Sequence, residues 1–358
     1  GQRILRAAHR IRRPPGLYSV YRSNYSCGPD SFNLHFFSHI LQGKPFAVIE
    51  TDGHSGDAGT KTRLEAFLHC VEQDLRANSS DKKAVPGDFR NVQTQTIGLA
   101  DILSRRETLL IPWMGRGSEV LAAGFRGLHI PAESLPEPDR SALTTGRRHT
   151  SGKECLPAAL TLGALLERLD RAAPSEHFAY VMPSTCGPCR FGVYNLLNQI
   201  VLSRENRASQ VRIWSPCDTA YFDDLPPGFA LLVFAGFLAS DLLLKACYDT
   251  LPVETAPGAA RAVYERRMAA LLHLLEQGAD ASRSTPAALW QAVSGRLFGI
   301  RNLVTEAAGE FRAIRGAQAV PTVLVVGEIY VRSVPFANDR IIEKLQHHGV
   351  RAHLAPLH

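Results

Sequence analysis

The chain has 358 residues, 45% of them hydrophobic and 21% charged, with a formal net charge of +6. This balance belongs to a folded globular protein and excludes a disordered one. Apart from Arg3, Arg6, Arg10, Arg12 and Arg13 the basic residues are scattered, so no basic stripe interleaved with aromatics marks a nucleic-acid surface.

The length predicts two lobes. Residues 1–16 read as a basic N-terminal arm, followed by a first α/β lobe over 17–222. In that lobe Phe46 to Glu50 is a short apolar strand. A Gly/Asp-rich loop follows, then a helix with Leu64, Phe67, Leu68, Val71 and Leu75 on one face and Thr60 as a plausible N-cap. Leu109 to Trp113, Phe178 to Met182 and Val211 to Trp214 are further strands, and helices are expected over 119–125, over 156–171 and after Cys186. Strands alternating with helices predict a parallel sheet with helices on both faces.

Residues 223–316 read as helical, over roughly 229–248, 259–276 and 286–315. From 317 to 358 a second α/β lobe opens, with a buried strand at Thr322 to Gly327, a helix at 338–348 and a strand at 350–354. Three elements are few for a free-standing lobe, so the unit is expected either to dock on the first sheet or to belong to a longer protein. The longest apolar run, Phe229 to Ala239, is about half a membrane span, and no apolar run follows the basic start. A cytoplasmic protein with no membrane or nucleic-acid partner is expected.

Seven cysteines without a secretory signal are not a disulfide framework. Cys186-Gly-Pro-Cys189 follows a strand and opens a helix, where free N–H groups and the helix dipole favour thiolate. Cys155, before Leu156-Pro157, and Cys27, before Gly28-Pro29, share this turn-to-helix context. In a parallel sheet such turns meet at the carboxyl edge, as a cluster with several thiolate ligands requires. Cys27, Cys155, Cys186 and Cys189 are therefore the candidate ligands. Cys217 is a possible extra one, while Cys70 and Cys247 read as packing residues. Four unrelated buried cysteines, a four-thiolate zinc site and thioredoxin-like exchange by Cys186 and Cys189 are the alternatives.

The loop from Glu50 to Thr62 lacks the Walker spacing, and its acidic residues would repel phosphate. Asp52 and His54 are candidate catalytic groups there, placed to hydrogen-bond near a cluster or to move a proton.

Five ordered motifs carry a resemblance: Cys27-Gly-Pro-Asp-Ser31; Asp52 to Asp57 running into Thr62 to Phe67; Gly152-Lys-Glu-Cys-Leu-Pro157; Gly187 to Gly192 with Tyr194-Asn195; and Gly327 to Arg332 with Pro335, Phe336 and Asn338. Over about residues 25 to 355 the chain resembles the group related to activators and components of 2-hydroxyacyl-CoA dehydratases, labelled CoA-substrate-specific enzyme activase. The resemblance implies flavodoxin-like lobes and an iron–sulfur cluster of the 4Fe–4S type, double-cubane in some relatives. It also implies low-potential electron transfer under anaerobic conditions. By matching motifs it implies Cys27, Cys155 and Cys189 as ligands, with Cys186 beside them; three ligands would leave one iron open. The electron would come from an ATP-hydrolysing activator of actin-like fold, a separate protein or domain. It would drive a difficult reduction or a radical dehydration, which makes an enzyme here an oxidoreductase or radical lyase. The small-molecule substrate is unassigned, and a homodimer is a further expectation. The same cluster would equally serve a non-catalytic electron carrier or scaffold.

Overall fold

The computed structural model describes residues 2–24, 28–51, 57–77, 97–185, 187, 189–217 and 225–355. At the N-terminus come α1 (Gln2–Ile11), β1 (Ser19–Asn24), α2 (Gly28–Leu41), β2 (Phe46–Thr51) and α3 (Asp57–Ala77). β1 and β2 pair in parallel, with Ser19 opposite Phe46. The stretch expected to be an arm is instead helical. Ile4, Leu5, Ala8 and Ile11 recur at helical spacing and pack on Tyr21, Phe37 and Ile40. α3 starts before Thr60, which lies inside it rather than at its cap. Its apolar face is largely uncovered, with Leu64, Leu68 and Leu75 exposed. Cys70 is exposed too, not a packing residue.

The central unit holds α4 (Leu99–Ser104), β3 (Thr108–Ile111), α5 (Gly117–Gly127), β4 (Ala132–Ser134), α6 (Arg140–Arg148), α7 (Leu156–Asp170), β5 (Phe178–Val181), α8 (Tyr194–Arg204) and β6 (Val211–Trp214). All four strands are parallel, in the order β4-β3-β5-β6. The first strand of this sheet thus lies between its second and third, the doubly wound flavodoxin-like order. Period-two alternation feeds two cores. Leu109, Ile111, Ala179 and Val181 face one side, while Leu110, Phe178 and Tyr180 face the other. At the opposite edge from the site, Arg212 donates to both oxygens of the buried Glu107, at 2.7 and 2.6 Å, and ties β6 to the entry of β3.

The first core is closed by α9 (Phe229–Thr250), α10 (Ala259–Ser282) and α12 (Ile300–Ala313), with α11 (Thr285–Val293) between the last two. The single helix expected over 286–315 is broken. Leu297 and Phe298 take φ of 48° and 57°, and Gly299 takes 86°, which a continuous helix forbids. Among the described residues one helical span, Phe229–Val253, is long and apolar enough to cross a membrane by length and composition. It runs well past the apolar stretch read from sequence, because Asp241 and Lys245 do not interrupt it. Phe229, Leu232, Val233, Ala239 and Leu243 bury in the core, as in the core helix of a globular protein.

The C-terminal unit contains β7 (Thr322–Val325), α13 (Ile329–Ser333), α14 (Ile341–His347) and β8 (Arg351–Leu354). β7 and β8 form their own parallel pair. The strand expected to be buried is exposed from Thr322 to Leu324 and half-buried at Val325. The helix expected from 338 starts at Ile341, and α13 precedes it. The unit docks on both neighbours. His353 hydrogen-bonds Asp249 of α9, and Tyr330 and Val334 pack on Leu160 of α7. The fold is therefore α/β, with parallel sheets flanked by helices and a helical block on one face.

Candidate functional site

In a parallel sheet with helical crossovers, helices run back against the strands, so α7, which leads into β5, begins at the carboxyl edge. Cys155 is its N-cap, with extended backbone (φ −61°, ψ 150°) and Pro157 in the first turn. Its sulfur does not cap the helix. Instead Sγ lies 2.5 Å from the hydroxyl of Tyr194, the first residue of α8. Cys189 follows the carboxyl end of β5 and is the N-cap of a 3-10 turn, Arg190–Val193, that delivers Tyr194. Cys155 thus touches this phenol, and Cys189, on a separate turn, lies near enough to act on it electrostatically.

Tyr194 is held by aromatic contacts. Phe32 of α2 stacks on it (5.6 Å, 13°), and Phe191 meets it edge-on (5.4 Å, 73°). Burial first, then Cys155, Cys189 and Glu328, push the phenol well above its usual pKa. The hydroxyl therefore keeps its proton and can donate it to a Cys155 thiolate, a charge-assisted bond.

The other motifs are tied to this point by polar contacts. The guanidinium of Arg190 lies against Gly28, in the space a Cβ there would take, so the start of α2 meets the residue after Cys189. Lys153 pairs with Glu50 at the end of β2. Glu154 accepts from the Ser151 amide (3.1 Å), the Ser151 hydroxyl (3.0 Å) and the Lys153 amide (3.2 Å), and faces His35 Nδ1 at 3.7 Å. Glu328 caps α13 by accepting from the Val331 amide, and Asn338 donates to the Arg332 carbonyl. Gly192 passes so close to the Thr185 carbonyl that any Cβ would overlap it. Asn195 donates to Ser215 at 2.9 Å. The β5–β6 pairing extends beyond the strands to Ser184 and Cys217, which puts Cys217 on the same edge.

Of the residues singled out from sequence, Cys155 and Cys189 are brought together at Tyr194, and Cys217 lies along the same edge. Cys27, Cys186, Asp52 and His54 lie outside the described residues. Cys247 is buried in the helical block, where burial pushes its thiol up to about 12. None of the five described cysteines is in a disulfide. Among the described residues no three His, Cys, Asp or Glu side chains are grouped to hold a metal ion. Sequence reasoning missed the Tyr194–Cys155 contact and the Arg190–Gly28 contact. Tyr194 stood inside a recognised motif, but only its spacing from Cys189 hinted at a partnership.

His35 gives the site a pH signature. Burial, then Arg204 and His39, lower its pKa from 6.5 to about 4, while the facing Glu154 is already engaged by three donors. Burial likewise lowers His39. The unfolded chain therefore binds more protons than the native one between about pH 6.5 and 4. Stability is complete above that window and falls as pH drops through it, by up to about 3 kcal/mol from His35. Urea midpoints measured between pH 7.5 and 4 should show this loss, and His35→Leu should flatten it; an equal slope in both proteins would exclude His35 as the cause.

No protein-family model matches the chain, and no curated protein or solved structure matches it either.

Proposed function

We propose that this chain is an iron–sulfur protein of the 2-hydroxyacyl-CoA dehydratase and activase superfamily, working in the cytoplasm. It receives low-potential electrons from an ATP-dependent activator for a difficult reduction or radical dehydration. The observation that carries the reading is that Cys155 contacts, and Cys189 on a different turn acts electrostatically on, one buried tyrosine at the carboxyl edge of the sheet. The first turn of α2, which follows Cys27, reaches the same place through Gly28 and Phe32.

The donor set fits such a group. Thiolates are the ligands that iron–sulfur clusters take. Cys155 stands at the α7 N-terminus, where the backbone N–H groups of the first turn have no intrahelical partner. Phe32, Phe191 and Tyr194 shield the sulfur from water, and the Arg190 guanidinium adds positive charge nearby. When bound, the cluster supplies single electrons at low potential. The protein's part is to fix the sulfurs, donate a hydrogen bond from Tyr194 and limit solvent.

Tyr194→Phe removes one donor and leaves the ring in place. Loss of a hydrogen bond of about 1 kcal/mol should lower the midpoint potential by on the order of 40 mV, since the bond favours the more negative, reduced state. A redox titration followed by electron paramagnetic resonance reads this directly. An unchanged potential would mean the hydroxyl does not serve the sulfur.

The reading as a whole is tested by iron and acid-labile sulfide content of protein purified without oxygen, with its spectrum after reduction. About four or eight irons per chain are expected. A second reading rests on the solvent exposure of Cys189, which suits thiol–disulfide exchange. Iron-free protein with a Cys186–Cys189 disulfide that reduces insulin would establish it instead.

A further inference from the structure

A cavity of about 440 Å³ opens between α2, the end of α6 and the end of α8. Its polar lining is His35, Ser38, Arg148 to Ser151 and Arg204. Two of these are guanidinium groups at the ends of different helices, Arg148 closing α6 and Arg204 closing α8. Helix C-termini attract cations, yet neither arginine has a carboxylate partner among the described residues. Arg204 donates only to His39 Nδ1, at 3.3 Å. Of the acids close by, Glu205 is taken by His149 at 3.3 Å, and Glu154 by the Ser151 and Lys153 donors.

His35 is the second observation. It is 6% exposed, lines the cavity, and its Nε2 has no hydrogen-bond partner. A buried polar atom left in this way costs free energy that a ligand would return. Glu154 faces the other ring nitrogen, so in the neutral ring Nδ1 holds the proton toward the carboxylate and Nε2 is left as an acceptor for an occupant's O–H.

Two arginines without carboxylate partners and the Ser38 hydroxyl match an anion with several acceptor oxygens better than a single carboxylate, and the O–H that a singly protonated phosphoryl group keeps matches the accepting Nε2 of His35. The remaining wall is apolar, formed by Leu34, Phe46, Val48 and Val201. A free inorganic anion has no use for such a wall, and the volume is that of a small-molecule site. We propose that this cavity binds a small organic phosphomonoester. Its phosphoryl group sits between Arg148 and Arg204 near His35, and its carbon skeleton lies on Phe46 and Val201. No bond is made or broken, and the site is independent of what the cysteines hold.

The test is titration calorimetry on the full chain at constant ionic strength, with phenyl phosphate, inorganic phosphate and benzoate as probes. Saturable one-to-one binding of phenyl phosphate is expected, at least tenfold tighter than inorganic phosphate and tighter still than benzoate. Arg204→Met and Arg148→Met should each weaken it tenfold or more, and His35→Leu severalfold. Both arginines are at the rim, so circular dichroism of these variants should match the parent. Equal affinity for phenyl phosphate and inorganic phosphate would overturn the organic ligand. Absence of saturable binding, or binding that both arginine variants retain, would overturn the site.

Discussion

Protein carrying Cys189→Ser, purified without oxygen, is expected to lose most of its iron and its low-potential paramagnetic signal. Cys189 is the described thiol on the turn after β5, and its sequence neighbours hold the site in shape: Arg190 against Gly28, Gly192 against Thr185. Serine preserves the size and the N-cap position but replaces a soft thiolate with a hard, rarely ionised oxygen. The backbone therefore should not change, and the loss reads on ligation alone. Cys155→Ser should behave in the same way, with the added loss of the Tyr194 contact. Cys70→Ser, exposed on α3, is the control and should keep full iron content and colour. A Cys189→Ser protein as rich in iron as its parent would sink the ligand assignment.

Gly163→Ala should destabilise the fold by about 3 kcal/mol, at the upper end for overpacking, and lower the melting temperature by about 4 °C. α6 and α7 cross with their backbones in contact. A Cβ on Gly163 would overlap the Ala142 carbonyl and lie 2.9 Å from the Gly146 amide, while one on Gly146 would overlap the Ala159 carbonyl. Backbone atoms cannot swing aside as a flexible side chain can, so the helices must separate. Because α7 carries Cys155 at its N-cap, separation should also reduce iron loading. Gly309→Ala supplies the contrast. It lies in α12 with nothing within 4 Å of the added carbon, and should gain up to about 1 kcal/mol from helix propensity. Thermal unfolding of the two variants side by side decides the matter. Equal melting temperatures would mean α6 and α7 are not in contact.

The alternation of strand and helix could be read where burial is two-sided. Phe46–Thr51, Phe178–Val181 and Val211–Trp214 are near-continuous apolar runs, as buried parallel strands require. Reading failed where the signal is short or mixed. β4 has three residues, α6 is dominated by Arg, Thr and Ser, and α1 shows arginine first and its apolar face second. β7 misled in the other direction, because an apolar run says nothing about whether a partner covers it. Within the site, the repeated pairing of cysteine with Gly or Pro pointed to turns, and the N-cap positions of Cys155 and Cys189 bear this out. The phenol between them could not be read, nor the cavity. The latter is assembled from residues near 35, 150 and 204, whose neighbourhood exists only once α2, α6 and α8 pack.

The three separate sheets among the described residues give the molecule more than one scale of stability. β1–β2 and β7–β8 are two-stranded, and such pairs hold only through the helices laid on them. The central sheet, buried on both faces, should open only with the whole chain, whereas the outer pairs can open locally. Glu50, which holds Lys153, closes β2, and Glu328, beside Tyr194, follows β7. Transient melting of either outer pair would therefore loosen the surroundings of Cys155 and Cys189 while the core stays folded. Full access to the half-buried Cys155 is then a matter of rare fluctuation, while Cys189 already stands open to solvent.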